Sequence, residues 1–214
     1  MTSHDGTNLA AEAARLGCAN LVDAMGRVHS HRAHIFPLSS PDPTKTLFGP
    51  AATLAYLPYR DDLPQAEIGF GELFHQAVGD DPAGRVLVLS SGGYRNASHG
   101  GGTKLTRVAH HGLAGVLADG RLRDFAQLRD YGFATWCRGE ATRWGGDTVM
   151  PYAAGIALEV AGVCVTPGDY VFADTAGAVI IPETSIERVF QEASKIEAEE
   201  AEFAAQVRDE RPPR

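Results

Sequence analysis

Residues 96–112, N-A-S-H-G-G-G-T-K-L-T-R-V-A-H-H-G, set three glycines ahead of a hydroxyl and a lysine, nearly the order that cradles phosphate. A phosphate loop needs G-x-x-x-x-G-K-[ST], with the hydroxyl after the lysine where it reaches magnesium. Here Thr103 precedes Lys104, and the nucleotide match fails. What survives is a glycine-rich turn opening a helix, where free N–H groups at Gly101, Gly102, Thr103 and Lys104 and the helix dipole favour an anion. A second group stands in D-G-R-L-R-D, residues 119–124, where Arg123 and Asp124 are adjacent and Asp124 takes the expected N-cap position before Phe125. An arginine fork beside a row of N–H donors suits a carboxylate or an enolate oxygen. The neighbouring carboxylate can hold a hard divalent cation.

Other polar groups read more plainly. His29, His31 and His34 form H-x-H-x-x-H, but they share their segment with Arg27 and Arg32 and lead into the passage from Pro37 to Pro43, as a solvated connection does. His110 and His111 end a helix, where imidazolium complements the dipole.

The elements that must position the first two groups follow from periodicity. Residues 86–90, 114–118 and 133–136 read as apolar strands, separated by helices over about 103–111 and 125–131 that stop at Gly112 and Gly132. A β-α-β-α-β run makes these strands parallel, and ligands bind at the carboxyl edge of such a sheet. The glycine-rich loop and the D-G-R-L-R-D loop therefore face one crevice. Before this run come two short helices in residues 8–27, broken near Gly17, a buried strand over 47–57 and a helical stretch over 67–78. After it, residues 163–165, 170–173 and 178–181 read as short strands in hairpins, so this part is antiparallel or mixed. A long helix spans residues 184–207, and residues 208–214, R-D-E-R-P-P-R, read as a frayed tail.

A chain of 214 residues with 44% hydrophobic composition fits one domain with a full core. Its 27 acidic against 19 basic residues give a formal charge of -8, which argues against nucleic acid or an anionic membrane as partner. Cys18, Cys137 and Cys164 match neither a disulfide framework nor a zinc spacing. No stretch resembles a secretory leader or reaches the roughly 20 apolar residues of a membrane span. These features predict reduced thiols and a cytoplasmic location.

Four separated segments carry a resemblance: N-L-V-D-A-M-G-R (20–27), F-G-P-A-A-T (48–53), G-L-A-G-V-L-A-D-G-R-L-R-D (112–124) and P-G-D-Y-V-F-A-D-T-A-G-A-V-I-I-P (167–182). In this order they resemble the RraA-like family, which includes class II 4-hydroxy-4-methyl-2-oxoglutarate/4-carboxy-4-hydroxy-2-oxoadipate aldolases and RraA regulators of ribonuclease E. The resemblance implies an α/β/α sandwich related to swivelling phosphohistidine domains, with a central mixed sheet and a long C-terminal helix. It also implies trimers or hexamers with sites at subunit interfaces. In the aldolases the arginine of the R-D pair binds pyruvate and steadies its enolate, the aspartate ligates Mg2+ (or Mn2+), and backbone N–H groups hold the pyruvyl carboxylate. Those roles fall on Arg123, on Asp124, and on Thr103 and Lys104. A glutamate of the C-terminal helix completes the adjacent subunit's site. Val189, Ala193, Ile196, Phe203 and Val207 form one apolar stripe in which Glu200 takes the vacant place, so the match is to Glu200.

Two features point in opposite directions. The regulators resembling this chain often lose the aspartate of the R-D pair, which this chain keeps as Asp124. The aldolases carry an acidic residue in the pattern D-x20-R-D, and that position is Gly102 here. Replacement candidates lie close by in Tyr94, Arg95, His99 and Lys104; histidine is the side chain suited to acid or base work near neutral pH, a role open to His99, and Lys104 can neutralise a second carboxylate. Two functions are therefore expected: a metal-dependent lyase on a small 2-oxo acid, including oxaloacetate, or a regulator that masks a partner enzyme.

Overall fold

The computed structural model of the chain describes residues 6–36 and 38–210, so Pro37 and the last four residues of the expected tail lie outside the described residues. The elements in order are α1 (Gly6–Val28), β1 (His34–Ile35), β2 (Leu47–Pro58), a 3-10 turn (Pro64–Glu67), α2 (Phe70–Val78), β3 (Val86–Leu89), β4 (Ser98–Gly100) and α3 (Gly102–His110). There follow β5 (Gly115–Ala118), β6 (Arg121–Leu122), α4 (Phe125–Asp130), β7 (Ala134–Trp136), β8 (Val149–Ala154) and β9 (Leu158–Val160). The chain closes with β10 (Val163–Val165), β11 (Tyr170–Asp174), β12 (Gly177–Ile181), a 3-10 turn (Glu183–Ser185) and α5 (Ile186–Asp209). The break at Gly17 is present: its φ of 76° interrupts α1, and the Cys18 N–H at the restart donates to Asp174 Oδ2 at 2.9 Å. Burial there pushes the Cys18 thiol up to about 12.

The main sheet runs β1-β12-β11-β2-β3-β5-β7, with β8 also paired to β2. Strands β3, β5 and β7 are mutually parallel, as the β-α-β-α-β reading requires; β2 joins them in parallel, and β11 and β12 are antiparallel. The sheet is therefore mixed.

Side chains alternate across β2, β3, β5, β11 and β12. On one face Leu54, Leu87, Leu89 and Val116 pack against α2, α3 and α4 through Phe74, Leu105 and Leu128, while Phe172, Val179 and Ile181 pack against α1 and α5 through Leu21 and Val189. On the other face Val86, Val88, Leu117, Val171 and Ile180 meet Leu158, Val160, Val163 and Val165. Among the described residues, the core on this second face is built from strands and their connections alone. The expected α/β/α sandwich is thus corrected to a layer of helices, a mixed sheet and a small β layer. The physical reason lies in the β9–β10 hairpin: Leu158, Val160, Val163 and Val165 are buried while Glu159 and Cys164 are exposed, so its apolar side closes the sheet face that helices would otherwise take. Its two-residue turn has φ of 52° at Ala161 and 86° at Gly162, a combination that matches the twist of paired strands.

Fully burying a Val or Leu contributes roughly 1.5–3 kcal/mol, so these alternating faces fix the strand register. That register in turn fixes which loops leave the sheet edge together. The short strands β4 and β6 then pair in parallel, Ser98 with Arg121 and Gly100 with Leu122, and tie the glycine-rich turn to the D-G-R-L-R-D loop.

Candidate active site

The structure brings Gly101, Thr103, Lys104, Arg123 and Asp124 to one pocket of about 260 Å³, together with Ser98, Gly100 and Trp144. The Arg123 N–H donates to Gly100 O at 2.9 Å, which locks the two loops side by side. Asp124 has φ 63° and ψ 48°, a left-handed conformation that costs most residues roughly 1–2 kcal/mol and that aspartate tolerates better than most. Strain of this kind is kept where surrounding structure imposes it and often marks a site.

Its side chain corrects the N-cap expectation. Asp124 makes no cap bond to α4; its Oδ2 accepts from the Gly102 N–H at 3.0 Å, across the pocket floor. The Phe125 N–H is satisfied by Glu140 Oε1 at 2.9 Å instead. Asp124 Oδ1 remains 3.7 Å from Arg123 Nη2, and both side chains are partly exposed. The N–H of Gly102, expected to face an anion, is thus already engaged. Thr103 and Lys104 follow it in the first turn, where a helix has no internal acceptors for its N–H groups.

Two of the three glycines, Gly101 and Gly102, leave room that this arrangement uses. A Cβ at Gly101 would come within 2.7 Å of Asp124 Oδ2 and 2.9 Å of Arg123 Cβ. At Gly102 a Cβ would lie 1.8 Å from Gln127 Oε1, so the volume of the expected acidic side chain is filled by the Gln127 amide. That amide donates to Tyr131 Oη at 2.6 Å, and Tyr131 and Thr106 both donate to Gly102 O, at 3.0 and 2.9 Å. A neutral hydrogen-bonded network thus occupies the space beside Gly102, the position at which the D-x20-R-D pattern has its acid.

Lys104 holds its Nζ 5.4 Å from the centroid of Phe70, and burial draws its ammonium below the ordinary lysine range. The pocket therefore sets two cations, Lys104 and Arg123, against the single Asp124 carboxylate.

The remaining sequence candidates lie elsewhere. His99 is fully buried, and its two ring nitrogens lie 3.0 Å from the carbonyls of Ala97 and Ser91. Burial pulls its pKa below the ordinary value, against the opposing pull of both carbonyls and of Asp119. Both nitrogens face backbone carbonyls, so the ring donates to one of them and turns neither nitrogen to the pocket. Arg95 lines an adjoining cavity, with Nε 3.7 Å from the buried Asp119. Tyr94 lines the same cavity. Glu200 is exposed on α5 and does not line the pocket, while its neighbour Glu199 pairs with Arg27 of α1. His29 contacts Ser185 at 2.9 Å and His34 belongs to β1; among the described residues no three His, Cys, Asp or Glu side chains form a metal cluster.

Ser98, Trp144, Gln127 and Glu140 were missed by sequence reasoning. Trp144 alone carried a signal, as a tryptophan in the glycine-flanked T-R-W-G-G stretch.

Known proteins share this architecture. RraAS2 of Streptomyces coelicolor, described as an unusual member of the RNase ES inhibitor RraA protein family, superposes with a TM-score of 0.79 at 26% identity, over 96% of this chain and 98% of that one. A Halalkalibacterium halodurans protein named "Putative 4-hydroxy-4-methyl-2-oxoglutarate aldolase" is 26% identical over 178 residues, 83% of this chain and 78% of that protein. Protein DlpA of Legionella pneumophila is 26% identical over 146 residues, 67% of this chain but 22% of its own length, so the chain spans about a fifth of that relative. The family model RraA-like, described as Aldolase/RraA, matches residues 18–180, a span that holds the glycine-rich turn, the Arg123-Asp124 pair and most of the β11–β12 hairpin. On a match over that share of its length, the chain belongs to the RraA-like family.

Proposed function

We propose that the protein is a divalent-metal-dependent carbon–carbon lyase that acts on a small 2-oxo acid through a pyruvate enolate, as a 4-hydroxy-4-methyl-2-oxoglutarate aldolase or an oxaloacetate decarboxylase does. The observation that carries this reading is the left-handed Asp124, which sets its carboxylate beside the Arg123 guanidinium at the open N-terminus of α3. In this reading the N–H groups of Thr103 and Lys104 hold the pyruvyl carboxylate at the positive end of the helix. Arg123 directs its fork at the C2 oxygen, where negative charge gathers as the C3–C4 bond breaks and its electron pair moves into the carbonyl. For oxaloacetate the leaving group is CO2; for a 4-hydroxy-2-oxo acid C4 leaves as a ketone once its hydroxyl proton passes to water; in both, C3 then takes a proton to give pyruvate.

Magnesium or manganese fits the residues present in one way. Asp124 Oδ1 is not bonded to the backbone, and no cage of protein ligands surrounds it among the described residues. One carboxylate with room for water and substrate oxygens is the donor set of a hard cation held jointly with its substrate. Asp124 is the residue that would hold it. When bound, such an ion supplies positive charge to a developing enolate.

Purified protein with magnesium or manganese is expected to release pyruvate from oxaloacetate or from hydroxylated C6–C7 oxo-diacids, with the rate abolished by a chelator. Absence of turnover on all of them would remove this reading. One observation favours a second reading, a regulator that masks a ribonuclease or another partner enzyme: the Gln127 amide occupies the place of the acidic group at Gly102. Oxaloacetate is the discriminating substrate, since its decarboxylation needs no base on a C4 hydroxyl.

We further propose that Glu200 completes the site of a neighbouring copy. On its stripe of α5, Phe203 is 66% and Val207 43% exposed, an apolar face a second copy would cover. Light scattering at micromolar concentration is expected to give a trimer or a multiple of it; a monomeric mass rejects this assembly.

A further inference from the structure

Beside the Arg123 pocket lies a larger cavity of about 640 Å³ that shares Ser98 and Trp144 with it. The pocket itself, at about 260 Å³, has room for a C4–C6 acid. The larger cavity leaves space for a ring-sized group attached to that acid.

Its walls are shaped for more than solvent. Trp144 is 59% and Tyr94 44% exposed, so both aromatic rings border this cavity with surface open to a planar group. The two glycines after Trp144 make room for its ring and its loop. A Cβ at Gly145 would lie 2.3 Å from Ser98 O, and one at Gly146 would lie 2.0 Å from the indole, so both loop and ring need those side chains absent.

Three guanidinium groups line the cavity, and two are neutralised: Arg143 pairs with Asp147, and Arg95 with Asp119 and Glu159. Arg121 differs. It reaches only neutral acceptors, Asn96 Oδ1 at 3.4 Å and Glu140 O at 3.1 Å, and among the described residues no carboxylate lies within ion-pair distance. Gly139 makes room for it, since a Cβ there would lie 2.9 Å from Arg121 Nη1. The Glu140 carboxylate also borders the cavity, but its Oε1 is turned to the Phe125 N–H.

We infer that the substrate is a 2-oxo acid bearing a planar, anionic tail, which stacks beside Trp144 and Tyr94 and pairs with Arg121. This rests on the reading of the Arg123 pocket as the pyruvyl site. Arg121 is then the specificity-determining residue for the tail, and Trp144 the wall between the two halves of the ligand.

Two uncleavable probes test it, 2,4-dioxo-4-phenylbutanoate and its para-carboxyphenyl counterpart, with oxalate as the tailless control. Calorimetric titration of the full chain in magnesium buffer is expected to show the carboxyphenyl probe binding on the order of tenfold tighter than the phenyl probe. Arg121→Ala removes that difference and leaves oxalate binding unchanged, Arg121→Lys restores part of it, and Trp144→Ala weakens both aryl probes by a larger factor than it weakens oxalate. Equal affinity of the two aryl probes in the wild type, or an undiminished difference in Arg121→Ala, overturns the inference while the pyruvyl site stands. Failure of oxalate itself to bind strikes the reading of the Arg123 pocket, and the inference falls with it.

Discussion

Replacing Asp124 by asparagine is expected to lower metal-dependent turnover by about 10²–10³-fold, the usual loss when a charged stabiliser is removed from a site, and to leave the fold intact. The substitution separates charge from shape. Asparagine is among the few residues that accept the left-handed conformation Asp124 adopts. Its side-chain oxygen can still take the Gly102 N–H that Asp124 Oδ2 takes at 3.0 Å. Only the negative charge that would attract a cation is lost. The midpoint of thermal unfolding should therefore stay within about 4 °C, since a change near 1 kcal/mol moves a domain of this size by roughly 2–4 °C. Steady-state rates with a melting curve on the same preparation check both halves; wild-type activity in the variant removes Asp124 from the chemistry.

Arg123→Lys should be nearly as damaging, with a fall on the order of 10² in kcat/KM. The Arg123 backbone N–H keeps its bond to Gly100 O, so the loop pairing survives. What disappears is the planar fork. A lysine offers a point charge to a carboxylate or enolate that a guanidinium grips with two parallel bonds. Because that grip matters most as charge develops on oxygen, kcat should fall further than KM rises. An unchanged kcat with a raised KM would make Arg123 a binding residue only.

How much of this was legible beforehand varied with the length of the signal. The parallel run through Val86–Leu89, Gly115–Ala118 and Ala134–Trp136 was readable because each strand is a short apolar block between helices that stop at glycine. The break at Gly17 was readable because apolar spacing shifts across a residue free to take positive φ. By contrast, Val149–Ala154 carries Pro151 and no alternation, and β4 and β6 are two or three residues long, so neither periodicity nor propensity announces them. The layer order failed for a related reason: a hairpin of three-residue strands covers the second sheet face, where helices were expected.

At the site, adjacency carried Arg123 and Asp124 to the right place, yet the role of Asp124 in the loop was misread. An aspartate before a helix normally caps it; here the left-handed backbone turns the carboxylate away, and Glu140, distant in sequence, caps instead. His99 was legible as a titratable group but not as a buried one, because burial depends on Tyr56 and on Gly120, where a Cβ would lie 2.1 Å from His99 Nδ1. Gln127 could be found only in three dimensions, since it fills the space of a side chain that Gly102 lacks.

In the function proposed above, Asp124, Arg123 and the start of α3 form one site for a cation and a pyruvyl group. A crystal grown with manganese and oxalate, the stable mimic of the pyruvate enolate, tests it most directly through the anomalous signal of the metal. A single strong peak is expected beside the Asp124 carboxylate, with oxalate between it, the Arg123 guanidinium and the N–H groups of Thr103 and Lys104. Oxalate bound away from Arg123, or manganese bound only at other carboxylates while Asp124 still holds the Gly102 N–H alone, would contradict it.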